Sequence, residues 1–506
     1  MTHSVPDIRL RTLNDAPIRD GASHVLYWMT AFRRVSWNHA LDRAVEHARR
    51  LDLPLLVFEG LRVDYRWASD RQHRFVIDGM REHRAALAGS PVGYLPWVER
   101  EPDGGEGLLE RLASDAAVVV TDDAPYFFLP RMAQAAAEKL DVCVEAVDSN
   151  GIYPIHHAER TFTTAASFRR HLQKKLPEFF GDAPSELPEL DGLPRFSGLD
   201  ELLGGEWAPV SEELMEPEGD ALGDLPIDHG VPPVPFRGGT EAARERLNRF
   251  LEERLPEYHE RRNEPDDETG SRLSPYLHWG HISSWEIFSR LTDRDDWTPA
   301  RLADKPNGSR EGWWNMSEEA EAFVDELITW REIGFNYCTR EDEPDRYDSL
   351  PEWARETLRE HEDDPRPHLY SREEFERAET HDDLWNAAQR ELRREGTIHN
   401  YLRMLWGKKI LEWSETPREA LDTMIELNNR WAIDGRDPNS YSGIMWVLGR
   451  YDRGWPEREV FGKVRSMTSR STRRKVSVDE YLRRFGPDGG PDADCDADPG
   501  AGEDSR

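Results

Sequence analysis

Residues 23–60 open on "SHVLYWM" (23–29), pass through "WNHALDRAVEHARRL" (37–51) and close on "LPLLVFEG" (53–60). The outer stretches are short, nearly unbroken apolar runs, as expected of strands buried on both faces. The middle stretch repeats apolar residues at helical spacing with charges between them, so one face packs and the other meets water. Strand, helix and strand in this order predict a parallel pair joined by a crossover helix. Working outward, "VGYLPWV" (92–98), "AAVVVTDD" (116–123) and "VCVEAVD" (142–148) read as further strands, and "FFLPRMAQAAAEKL" (127–140) as a further helix. Residues 1–160 are therefore expected to form an α/β domain with a Rossmann-like parallel sheet.

After one more helix, the interval to about residue 238 loses periodicity and fills with Pro, Gly and acids ("GDAPSELPELDGLPRFSGLDELLGGEW", 181–207). Residues 161–238 read as a connector laid over the surface. From 239 to 484 the signals are helical and tryptophan is unusually frequent, which predicts an all-α C-terminal domain. Residues 485–506 are acidic and poor in apolar side chains, and read as a disordered tail.

A chain of 506 residues exceeds one ordinary core, so two domains are expected. It carries 99 Asp plus Glu against 66 Lys plus Arg, a formal charge of -33, and only 8 of the basic residues are Lys. Such a halophilic-type acidic surface keeps a chain hydrated in concentrated salt and says nothing of mechanism. No apolar run approaches the roughly 20 residues that cross a bilayer, and the N-terminus lacks a signal-peptide core. A cytoplasmic protein without membrane contact is expected. The cysteines, Cys143, Cys338 and Cys495, show no paired spacing, so neither a disulfide framework nor a metal site is expected.

Against this background residues 450–484 hold 11 Arg or Lys and 5 Asp or Glu. The densest part is Arg470, Arg473, Arg474 and Lys475. Such a run either neutralises neighbouring acidic loops or binds phosphates, and the interleaved Trp446 and Trp455 favour nucleic acid. Three further stretches carry candidate chemistry. In "TGSRLSPYLHWGHIS" (269–283), Ser271 and Ser274 sit at a helix start where an anion such as a pyrophosphate is favoured, although Ser-Pro starts are also common caps. In "EAFVDELITWREIGFNY" (321–337), Glu326 and Trp330 fall at i and i+4, as a half-exposed rim or as a pocket wall. In "HNYLRMLWGKKILEW" (399–413), Trp406 and Trp413 lie on one stripe two turns apart, about 10 Å along the axis, which core packing alone would explain.

Taken together, "SRLSPYLHWGHIS", "ELITWREIGFNYC", "LWNAAQREL", "HNYLRMLWGKKILEW", "ELNNRWAIDGRDPNSYSGIMW" and "DRGWPEREVFGKVR" resemble the flavin domain of the photolyase and cryptochrome family, most closely the class II cyclobutane pyrimidine dimer photolyases. The resemblance is dense over roughly residues 265–480 and looser at "YWMTAFRRVSWNHAL" (27–41). It implies a helical domain holding FAD, with Ser271, Leu273 and Ser274 cradling its phosphates. Arg403 would lie beside the isoalloxazine with Asp434 as its partner, and Asn428 would face flavin N5. Trp385, Trp406 and Trp413 match the electron-transfer tryptophans of the class.

The resemblance further implies that UV-damaged DNA is the partner. Light-excited reduced FAD would pass an electron to a flipped-out dimer, the cyclobutane ring would split, and the electron would return. Trp330 and Trp446 would sandwich the dimer, a protonated Glu326 would bond the pyrimidine edges, and Met404 would pack nearby. Families of this fold bind a deazaflavin, a folate or no antenna chromophore in the α/β domain, so the resemblance leaves the antenna open; a monomer is expected. A cryptochrome-like blue-light photoreceptor without repair activity is the alternative; a (6-4) photoproduct enzyme is disfavoured by the Glu326–Trp330 spacing. Two departures stand out. Ser440 replaces a common Gly in "DPNSY", which would strain the backbone if that position needs positive φ. Asn429 in "LNNR" stands where an acid is usual.

Overall fold

The computed structural model describes residues 4–216 and 221–487. Six strands, β1 (Leu10–Thr12), β2 (His24–Met29), β3 (Leu55–Leu61), β4 (Gly93–Val98), β5 (Ala116–Asp122) and β6 (Val144–Val147), form one sheet in the order β1-β6-β5-β2-β3-β4. The five expected strands are mutually parallel. The sixth corrects an all-parallel reading: β1 pairs antiparallel with β6 at the sheet edge. Three residues, two of them exposed, are too few to show a period.

Crossover helix α1 (His39–Leu51) is capped by Asn38, whose side chain accepts from the backbone N–H of Ala40 and Leu41. The next crossover, α2 (Asp70–Leu87), gave no clear signal in the sequence because it is buried on nearly every side. Val76, Ile77 and Met80 pack under Val210, Leu214 and Met215 of the connector, while Phe75 joins the helical domain's core. A helix without a wet face has no polar stripe to read. The connector follows the α/β domain closely, with Phe196 N–H on Pro91 O and Val210 N–H on Pro96 O.

The helical half holds two apolar cores. One is built around α3 (Ser274–His278), α4 (Glu318–Val324) and α5 (Arg331–Arg340); the other around α6 (Asp383–Glu395), α7 (Asn400–Trp413), α8 (Pro417–Trp431) and α9 (Pro438–Val447). Between α4 and α5 the chain makes a wider π turn, Asp325–Trp330.

The seam between the halves is polar and tight. Buried Arg34 donates to the carbonyls of Gly280 and Ser149 at 3.0 and 3.2 Å, and Arg331 donates to Asn150 O at 2.7 Å. Glu332 accepts from Ile152 N at 2.8 Å. Gly280 has φ +74°, and a Cβ there would lie 2.2 Å from Ala31 O, so only glycine admits this approach. Among the described residues no helix is long and apolar enough to cross a membrane. Cys143 and Cys338 are buried and unpaired; Cys495 and the acidic tail from residue 488 lie outside the described residues.

Candidate active site

Helix α7 starts one turn before Arg403, whose Nη1 donates to Asn428 Oδ1 at 3.0 Å and whose Nη2 lies 3.7 Å from Asp434 Oδ1. The expected Arg–Asp partnership is present, and the structure adds Asn428 to it. Asp434 is buried and its Oδ1 has no hydrogen bond, so the carboxyl keeps acceptor capacity turned inward. Asn429 holds the turn that follows: its Oδ1 accepts from Arg436 N at 2.9 Å and its Nδ2 donates to Tyr441 Oη at 3.4 Å. An acid could accept but not donate there. The strain considered for Ser440 does not arise. Ser440 lies inside α9 and donates to Asp434 O at 3.0 Å, whereas the left-handed residue of this turn is Arg436, φ 69°.

The Ser-Pro start is real but short, since α3 is a single turn of five residues with no side-chain cap. Leu273 is buried, and Ser271 Oγ accepts from Leu273 N at a long 3.4 Å. Neighbouring polar groups went unread in the sequence. Arg272 is left-handed (φ 52°) and pairs with Glu395 at 2.8 Å. Thr269 Oγ1 and His399 Nδ1 are buried without partners. Burial, then Arg272 and Arg484, push the His399 imidazole down to about 4, so it is neutral. Orphaned polar atoms beside guanidinium groups fit a hydrogen-bonding anionic group.

Trp385 (0 % exposed), Trp413 (1 %) and Trp406 (3 %) lie in one core. Trp385 comes from α6 and the other two from α7. Trp385 and Trp413 stand 6.1 Å apart at 68°, and Trp406 Nε1 donates to Gln389 Oε1 at 2.8 Å. Beyond Trp413, the His381 ring lies at 4.9 Å and Tyr370 at 5.7 Å.

Glu326 and Trp330 both ride the π turn rather than an α-helix, and wide turns of this kind recur at functional sites. Among the described residues Glu326 has no hydrogen-bond partner. Burial first, and then its neighbour Asp325, push its carboxyl up to about 7. Asp325 itself is clamped by Arg169 at 2.6 and 2.8 Å. Trp330 stacks directly on Trp446, centroids 4.8 Å apart and planes at 13°. As placed, the two rings leave no gap for a third ring between them. Half-buried Met404 packs against the same core as the tryptophan series.

A cavity of about 1400 Å³ opens where the strand order reverses between β2 and β5, at their C-terminal ends, the usual ligand crevice of an open α/β sheet. Trp28, Phe58 and Trp97 line its sheet side, and Trp279 and Arg436 its helical side. Three of its wall residues are left-handed without being glycine: Trp67 (φ 71°), Phe127 (φ 56°) and Arg436 (φ 69°). They touch, with Trp67 5.8 Å from Phe127 and the Arg436 guanidinium 5.9 Å from the same ring.

The basic run divides in two. Arg470, Arg473, Arg474 and Lys475 are exposed, but Arg473 pairs with Asp383 and the segment lies along α6, where Tyr481 Oη donates to Glu391 at 2.6 Å. The other part follows Trp446 directly. There Arg453 and Arg465 flank the exposed Trp455 at 5.7 and 5.3 Å.

An α/β domain docked on a helical domain is the fold this chain shares with solved photolyases. No family model matches the chain. It is 37% identical to the deoxyribodipyrimidine photo-lyase of Methanothermobacter thermautotrophicus over 478 residues, covering 94% of this chain and 98% of that protein. Those of Oryza sativa subsp. japonica (33%) and Potorous tridactylus (32%) align with 94% and 95% of the chain and with 89% and 84% of their own lengths. The fold is shared with a class III photolyase from Agrobacterium tumefaciens (TM-score 0.67, 18% identity, 92% of this chain and 87% of that one). It is shared also with a Sulfolobus tokodaii photolyase whose crystal structure holds two FAD molecules (TM-score 0.63, 15% identity, 91% and 90%). The chain belongs to the deoxyribodipyrimidine photo-lyase family. It is a lyase of light-dependent DNA repair.

Proposed function

We propose that the protein repairs cyclobutane pyrimidine dimers in UV-damaged DNA, as class II enzymes do, with FAD held in the helical domain. The observation that carries this reading is the layout of α7, which brings Arg403 to the Asn428–Asp434 set and Trp406 to the head of the tryptophan series. When bound, FAD supplies light-driven one-electron chemistry. Arg403, Asn428 and Asp434 would hold its ring, and Ser271, Leu273, Ser274, Arg272 and His399 its phosphate end.

The chain's own groups do the rest. Asn428 offers an amide that hydrogen-bonds without taking a proton. Glu326, with its carboxyl near 7, keeps a proton to share with a pyrimidine carbonyl in which negative charge develops. Trp330 and Trp446 supply aromatic faces for a flipped pyrimidine. Trp385, Trp406 and Trp413 offer oxidisable rings reaching outward from α7. The cavity between the domains is the proposed seat of an antenna chromophore, either a deazaflavin or a folate. The two basic patches are proposed to meet DNA phosphates, and the protein to act in the cytoplasm as a monomer.

The test is irradiation of dimer-containing oligothymidylate with the purified flavoprotein and a reductant, following recovery of thymine absorbance. Recovery supports repair of cyclobutane dimers. A flavoprotein that photoreduces but restores no absorbance is the blue-light photoreceptor instead.

A further inference from the structure

Lys408 sits in the middle of α7 at 1% exposure, where a lysine is least at home. Its Nζ donates to the carbonyl of Val447, the last residue of α9, and that is its one hydrogen bond among the described residues. The two helices meet closely at this point, for a Cβ on Gly407 would lie 2.6 Å from Val447 Cγ2. A helix's last carbonyls lack intrahelical partners and carry the negative end of its dipole, so a cation there is favoured. Yet burying an ammonium with one acceptor costs more than an apolar side chain of equal volume would. Stability therefore does not explain the residue. What lies beside it does: Val447 follows Trp446, whose ring is stacked on Trp330.

We propose that Lys408 is a positioning residue whose ammonium, bonded to the last carbonyl of α9, holds the Trp446 ring against Trp330 and so sets the shape of the lesion pocket. The lesion part of this statement rests on the function proposed above; the positioning of the ring does not. Burial brings the Lys408 pKa down to about 7; Asp452 opposes that shift and Arg465 adds to it. These are the charged groups that face Nζ from the segment after α9. The ammonium thus gives up its proton in the neutral range, and a charge-assisted bond becomes a weaker neutral one.

Stacked indoles give an exciton couplet in circular dichroism, which the wild-type minus Trp446→Phe difference spectrum isolates. The couplet is expected at full strength at pH 6 and at less than half by pH 8.5. Asp452→Asn moves the midpoint to lower pH, and Glu326→Gln leaves it in place, which separates Lys408 from the other group that titrates there. Lys408→Met shows under half the couplet at every pH, while FAD content and light-driven FAD reduction stay at wild-type levels. A couplet constant from pH 6 to 9 in the wild type overturns the proposal, and this arm holds even if Lys408→Met does not fold. So does a full couplet in folded Lys408→Met. Affinity for dimer-containing oligothymidylate is expected to fall about tenfold in Lys408→Met. Unchanged affinity with the couplet gone overturns the lesion role of the pair and leaves the positioning standing.

Discussion

Trp385 donates its indole N–H to the backbone carbonyl of Trp406 at 3.0 Å. The ring from α6 is thereby tied to the helix that carries the other two. The position of the Trp385 ring is thus set by a bond to backbone as well as by packing.

Trp406→Phe should abolish light-driven reduction of oxidised FAD while sparing repair by chemically reduced enzyme. Phenylalanine keeps most of the packing and loses the bond to Gln389, so a stability loss of about 1 kcal/mol accompanies it. Transient absorption of the flavin and repair yield, measured on one preparation, separate the two effects. Photoreduction at the wild-type rate would remove Trp406 from the series.

Glu326 gives a pH dependence whose sign is fixed. Its carboxyl ionises at about 7 in the folded protein against an ordinary 4.5. The folded state keeps a proton that the unfolded chain has lost, so stability declines as pH rises from about 4.5 through 7, by on the order of 3 kcal/mol. If the protonated form assists repair, repair yield per photon falls over pH 6–8 in the wild type. Glu326→Gln removes the carboxyl's share of both slopes and leaves that of Lys408, and Glu326→Ala lowers yield more than it lowers binding. A pH-independent yield in the wild type removes the carboxyl from the chemistry.

DNA affinity should report the division of the basic run. Neutralising Arg470, Arg473, Arg474 and Lys475 together flattens the plot of log affinity against log salt, by roughly 0.9 for each DNA phosphate that the protein no longer neutralises. Arg473, already paired with Asp383, contributes least of the four. Neutralising Arg453 and Arg465 beside Trp455 should flatten it as well. Because the rest of the surface is acidic, wild-type affinity should pass through an optimum at intermediate salt. An unchanged slope in the first variant would mean that those four residues only balance the acids of α6 and its surroundings.

Ser440→Gly tests a position where the sequence suggested strain and the structure shows none. The hydroxyl bond to Asp434 O disappears and a glycine enters a helix, each worth about 1 kcal/mol. Thermal unfolding should move to lower temperature. A stabilised variant would show that the backbone at 440 is strained after all.

Five strands and the helical half were legible because apolar runs and helical spacing extend over whole elements. β1 was not, since three edge residues carry no period. Nor was α2, since residues 71–80 are buried all round and its polar side chains there do not mark a wet face. The π turn under Glu326 and Trp330 is invisible in a sequence because its period differs from that of an α-helix over a single turn only. Residue types alone paired neither Arg403 with Asp434 nor Trp385 with α7; the resemblance supplied both. The closed stack of Trp330 on Trp446, the split of the basic run and the burial of Lys408 needed coordinates. A charge count has one dimension, and a lysine among arginines reads as wet until its neighbours are known.

The tight seam at Gly280 bears on how absorbed light could be shared. With Ala31 O 2.2 Å from any added Cβ, the halves meet backbone to backbone at this point. A pigment in the cavity and one in the helical domain would then keep a single separation and a single mutual angle. Excitation passed between them depends steeply on both, so a fixed seam would hold the geometric part of the transfer efficiency constant. Gly280→Ala, by wedging the halves apart, should dim the antenna's band in the action spectrum and leave the flavin's own band at full height.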